Sequence, residues 1–138
     1  MAGFNLPTDI RQNRGTATVE LALCLPLLIL LVFGGLEISN MIFVRQGLIA
    51  AAHSTAREIS APNSQRTHAT SVGEEVLQAH GIVSGTISFS PSNPATVSRG
   101  TLITVTVSGP YSGNSLLATP VVTAGDLSAT AIFAKEGN

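Results

Sequence analysis

The sequence predicts an α+β chain: a long amino-terminal transmembrane and stalk helix, then a short helix and a small antiparallel sheet of three to four strands. Three observations carry this reading. Residues 21–36 (LALCLPLLILLVFGGL) run for sixteen positions without a charge. Helical apolar character continues from there until Pro62. Beyond Gly81 the pattern turns strand-like, with β-branched residues set between Pro and Gly. The composition agrees. Only 11% of the 138 residues are charged, 44% are hydrophobic and the mean hydropathy is +0.37, against roughly 25% charge in ordinary soluble domains. A membrane or an assembly is implied, and at 14.2 kDa there is room for one domain at most.

Taken in order, residues 1–15 read as a polar leader with Asp9, Arg11 and Arg14, where Pro7 and Gly15 oppose a continuous helix. Residues 16–61 form the transmembrane and stalk helix, expected to start near Ala17. A hydrocarbon core about 30 Å thick needs about 20 apolar residues at 1.5 Å each. Residues 19–44 meet that need if Glu20 and Glu37 lie near the two faces or find partners. The helix runs on through Arg45, the Ala50-Ala51-Ala52 run and Arg57 until Pro62 stops it. Glu37 and Arg45 read as marking its exit into water. Residues 62–138 make a small head: a helix over 71–80, with Val72, Val76 and Leu77 on one side and Glu74 and Glu75 solvated on the other, then strands over 82–89, 102–107 and 127–133. Pro91, Pro94, Gly100, Pro110, Gly113 and Pro120 punctuate the connections. Three strands with one helix are near the lower limit of independent stability, so the head is expected to lean on its own stalk or on a partner.

The junction at Gly15 admits three readings. A cleaved secretory signal fits the basic leader, but the apolar stretch is longer than an h-region of roughly 7 to 15 residues and no small-residue cleavage site follows it promptly. An uncleaved single-span anchor, oriented by Arg11 and Arg14 with its amino terminus in the cytoplasm, leaves Glu20 unexplained, since a charge at the bilayer centre costs about 3 kcal/mol. Glu20 as a simple helix-dipole partner contributes a few tenths to 1 kcal/mol but does not account for the basic leader. The third reading is processing. A glycine at the membrane boundary tolerates the backbone that a protease groove requires. Cutting Gly15–Thr16 leaves a new ammonium on Thr16, which in apolar surroundings needs a carboxylate. Glu20 lies four residues on, on the same helix face, and can serve its own chain or a neighbour.

Arg14-Gly15, Val19-Glu20-Leu21-Ala22-Leu23, Leu25-Pro26-Leu27-Leu28, Phe33-Gly34, Glu37 and Val44-Arg45-Gln46, with the Ala-rich stretch up to Arg57, resemble the TadE-like pseudopilins of tight adherence (Flp pilus) systems, within the type IV filament superfamily. Val105-Thr106-Val107, Pro110-Tyr111 and residues 125–131 are similar to that family's terminal strands. The resemblance implies a prepilin peptidase cutting after Gly15, assembly through Glu20, and as partners other pilins or pseudopilins, an inner-membrane platform, a cytoplasmic ATPase and membrane lipid. It implies a minor pilin-like subunit in the bacterial cytoplasmic membrane, with the head outside. Its alternative is an uncleaved, single-span extracytoplasmic binding module.

Pro26, Gly34 and Gly35 are the candidate helix-packing positions; Pro26 removes one backbone hydrogen bond, and Gly35 with Ser39 forms a small-xxx-small pair. Cys24, the only cysteine, reads as a small buried hydrophobe and leaves no basis for an internal disulfide or a Cys-based zinc site. His53, His68 and His80 lack companions at metal-ligand spacing, no nucleophile motif or phosphate-cradling loop is present, and neither a catalytic site nor a cofactor is expected. The seven Lys and Arg are scattered at a net charge of −1, so nucleic acid is not an expected partner.

Overall fold

The computed structural model describes residues 10–117 and 125–137; Pro7 and Asp9 of the expected leader, and Pro120, lie outside them. The order is α1 (Ile10–Ser60), α2 (Arg66–Ala79), β1 (Thr86–Ser90), β2 (Leu102–Pro110) and β3 (Asp126–Ala134), an α+β arrangement with one antiparallel sheet in the order β1-β2-β3. Two compact units divide the chain, residues 1–36 and 37–138.

The first unit is helical from Ile10, seven residues ahead of the expected start at Ala17. The helix runs without a break through Gly15 and Pro26. Gly costs only about 1 kcal/mol in a helix interior, which flanking helix formers absorb. Along residues 19–36 the large apolar side chains are exposed all round, Leu23 at 75% and even Phe33 at 45%. A helix apolar on every side has the surface of a membrane span; eighteen residues at 1.5 Å cover about 27 Å. Cys24, expected to be a small buried hydrophobe, is exposed on this stretch.

In the second unit α1 becomes amphipathic. Val44, Leu48, Ala51, Ala52, Ala56 and Ile59 are buried, the i, i+4, i+7, i+8 spacing of one helix face, and they meet Ala69 and Leu77 of α2 and Ile103, Val105, Val107, Ala129 and Ala131 of the sheet in one core. The head therefore leans on its own stalk, as its small size requires. Close approach is set by small residues. A Cβ at Gly47 would sit 2.6 Å from Ile82 Cδ1, and one at Gly73 would strike the Thr55 side chain and Ile87.

Helix α2 starts at Arg66 rather than Ser71. Arg66 is anchored there, donating to Ser92 O at 3.1 Å with its guanidinium 5.3 Å from the Phe89 ring centre. The carboxy-terminal end of α2 explains why β1 begins later than expected. Gly81, at φ +66°, donates to Gln78 O and Ile82 donates to Leu77 O, both at 2.9 Å. This is a Schellman cap, with Leu77 and Ile82 as its apolar contact, so residues 82–85 leave the helix instead of joining the sheet. Strand β2 alternates strictly, Ile103, Val105, Val107 and Gly109 inward. It pairs Val105 with Phe89 on one side and Ala131 on the other.

Four carbonyls at the end of an α-helix lack intrahelical partners. At the end of α1 this need is met from the far end of the chain. Lys135 is 2% exposed, and its Nζ donates to Ile59 O at 3.0 Å, Ala61 O at 2.9 Å and Ser64 Oγ at 2.9 Å, while Glu136 N–H donates to Ser60 O at 2.9 Å. All three ammonium donors are used, at the helix end where a cation is favoured. Lys135→Met keeps the side-chain volume and strands these acceptors. It is expected to destabilise the head by about 2 kcal/mol, read as a lower unfolding temperature by circular dichroism of the full chain in detergent; unchanged melting would show that the carbonyls are served otherwise.

Candidate functional site

Every site residue singled out from the sequence lies on α1 within the first unit. Thr16 and Glu20 are exposed and one turn apart, on the same helix face. An added Cβ at Gly15, Gly34 or Gly35 would meet nothing within 4 Å, so these glycines present open backbone surface. Pro26 lies inside the same helix. The structure thus strings the candidate residues along one exposed apolar rod, and gathers them neither into a pocket nor against a second element of the first unit. What this arrangement can do chemically is offer a lipid- or helix-facing surface bearing one carboxylate, at Glu20. Among the described residues no three His, Cys, Asp or Glu side chains come together to hold a metal ion.

The polar cluster that the chain does assemble is at Glu37, the first residue of the second unit. The expectation that Glu37 marks an exit into water is corrected: it is fully buried, with 0% exposure, because it finds partners from the segment after β2. Tyr111, in a short 3₁₀ turn over Tyr111–Gly113, donates its hydroxyl to Glu37 Oε1 at 2.8 Å and to the Glu37 carbonyl at 3.0 Å. Ser115 Oγ donates to the same Oε1, and the backbone amides of Leu116 and Leu117 approach the carboxylate from the same loop. Asn114 locks the loop in place. Its side chain accepts from Val83 N–H at 2.8 Å and donates to Pro110 O at 2.8 Å, and its carbonyl accepts from Asn40 Nδ2 at 2.7 Å. Arg45, by contrast, is exposed as expected.

Sequence reasoning missed Tyr111 and Ser115 as partners. The available signal was the charge itself: the only charged residue across 21–44 must be paired or hydrogen-bonded if it is not in water. The histidines form no site. His53 and His80 make ring contacts with Phe133 and Phe43, and His68 Nε2 lies 3.4 Å from Glu58 on the surface. Glu74 and Glu75 are exposed, as their helix positions predict.

The comparisons with known proteins agree with the placement of the rod. The model of the TadE-like protein family matches residues 15–57, a stretch that begins at Gly15 and lies wholly within α1. This is consistent with a TadE-like, pilin-like protein. No curated protein and no solved structure matches the chain.

Burial, and then the hydrogen bond to Glu37, push the Tyr111 hydroxyl above its ordinary value of 10.0. The native state therefore holds a proton that the unfolded chain releases, so the stability from this proton is whole below pH 10 and is lost as pH rises through the native value. As Tyr111 is the only tyrosine and tryptophan is absent, the tyrosinate ultraviolet band should titrate above its ordinary pH and coincide with loss of structure. Tyr111→Phe should remove that alkaline limb and lower the melting temperature by about 4 to 8 °C. An ordinary titration curve in the folded chain would contradict the buried bond.

Proposed function

We propose, from the TadE-like helix and its exposed apolar surface, that this chain is a minor, non-enzymatic pilin-like subunit of a tight adherence (Flp-type) pilus or secretion apparatus. The observation that carries the reading is the all-round apolar run over residues 19–36, opened by Glu20 five residues after Gly15 and lying inside the family match. One surface serves two environments in turn. In the bilayer it meets lipid, and in an assembly it meets other helices, whose packing uses the same side chains and small residues such as Gly34 and Gly35.

A prepilin peptidase cuts Gly15–Thr16 on the cytoplasmic side, where Arg11 and Arg14 hold the leader. The Thr16 ammonium that results needs an acidic partner in apolar surroundings, and Glu20 supplies it, within the chain or to a neighbouring pilin. The head, residues 62–138 with the upper part of α1, lies on the outer side of the cytoplasmic membrane and meets other pilins and the inner-membrane platform. What supports this reading is the order of features along one helix: basic leader, small residue, carboxylate, apolar run.

The test is the amino-terminal mass of the chain recovered from membranes of a cell that has the peptidase. The mature chain should start at Thr16. Gly15→Ala should retain the leader while insertion continues, and Glu20→Ala should be cut but fail to co-purify with partner pilins. A wild-type chain recovered with residues 1–15 attached supports the uncleaved binding module instead, and normal assembly of Glu20→Ala removes the role given to that carboxylate.

A further inference from the structure

Glu37 is the only charged residue between positions 21 and 44, and it is hidden. The loop that hides it exposes Ser112, Gly113 and one large apolar side chain: Leu116, next to the Ser115 that bonds Glu37, is 63% exposed, and Val83, tied to the same loop through both its N–H and its carbonyl to Asn114, is 58% exposed. On the turns of α1 that follow Glu37, Ile38, Ile42 and Phe43 are also exposed. Five large exposed apolar side chains thus lie on the loop that covers this carboxylate, on Val83 tied to that loop and on the α1 turns after Glu37, and no exposed charge of α1 occurs between Glu20 and Arg45.

We propose that this end of the head is a lipid-docking surface, with the loop over residues 111–117 and Val83 seated in the headgroup and upper acyl layer of the bilayer. The inference rests on the reading of residues 19–36 as a membrane span, and adds to it a second point of lipid contact. Continuity argues for lipid as the occupant. The patch begins at Ile38, two residues after the exposed apolar run ends at Leu36, and at 1.5 Å per residue Phe43 lies only about 9 Å beyond Glu37. Surface-seated side chains penetrate about 5 to 10 Å at the headgroup boundary, which matches that depth. The neighbouring polar groups suit a poorly hydrated layer, where unpaired backbone and amide groups are costly. Asn114 spends its side chain on Val83 and Pro110 and its carbonyl on Asn40, and Tyr111 and Ser115 spend their hydroxyls on Glu37. With Glu37 covered, the helix exterior stays uncharged over residues 21–44, about 36 Å, longer than a hydrocarbon core of about 30 Å.

The test uses the full chain in a Cys24→Ser background, reconstituted into phosphatidylcholine vesicles, with a polarity-sensitive fluorophore on a single cysteine introduced as Leu116→Cys, Val83→Cys, Thr130→Cys or Leu27→Cys. Thr130 is exposed on the sheet face, and Leu27 lies in the apolar run. Labels at positions 116 and 83 should be blue-shifted and quenched by tail-brominated phosphatidylcholine several-fold more than the label at 130. If 116 and 83 behave like 130 while 27 is quenched, the docking surface is overturned and the span stands. If 116 and 83 are shielded from water yet unquenched, a protein occupant such as a second copy covers the patch, and the proposal fails. If 27 is also unquenched, the span itself fails and the docking surface with it.

Discussion

The structure depends on what becomes of one carboxylate. Glu37 closes the longest apolar stretch of the chain, and a carboxylate on an otherwise uncharged helix must stay in water or be given donors. The fold takes the second course at Oε1, while Oε2 is buried with no hydrogen-bond partner among the described residues. Tyr111 and Ser115 bring hydroxyls to Oε1 across 74 and 78 residues of sequence, so the chain after β2 is fixed to α1 at the point where the compact head starts. Removing the partners would leave a buried group unpaired, a larger cost than the bonds themselves contribute.

A second long-range tie acts at the other end of the head portion of α1. Lys135 reaches Ile59 and Ala61 across 76 and 74 residues. Together the two contacts clamp the sheet to both ends of the helical face that carries Val44, Leu48, Ala52, Ala56 and Ile59. Between the clamps the packing is ordinary apolar burial, with Ala and Gly positions letting the elements approach closely. The amphipathic part of α1 is consumed by its own head, whereas residues 19–36 keep their apolar surface uncovered and available to lipid or to other helices.

What was legible in the sequence follows from range. The apolar rod, the three strands and the solvated Glu74 and Glu75 were legible because each is written in a local period, and residues 14–57 also carried the family resemblance. The start of α1 lies earlier than the local pattern implies because Gly15 opposes a helix by only about 1 kcal/mol. Ile82 is β-branched and reads locally as strand, but it serves as the apolar member of a helix cap, a role fixed by the φ of Gly81. Glu37, Tyr111, Ser115 and Lys135 were not legible as partners, since a pairing over more than seventy residues leaves no mark on either local pattern. Gly15, Thr16 and Glu20 are the reverse case: a motif in sequence, and an exposed row on one helix in the structure.

The central claim is that residues 19–36 are covered by lipid. Alkaline carbonate extraction of membranes from cells expressing the full chain tests it most directly. The account predicts that the protein stays in the sedimented membrane fraction, as an integral span does; recovery in the supernatant would contradict it.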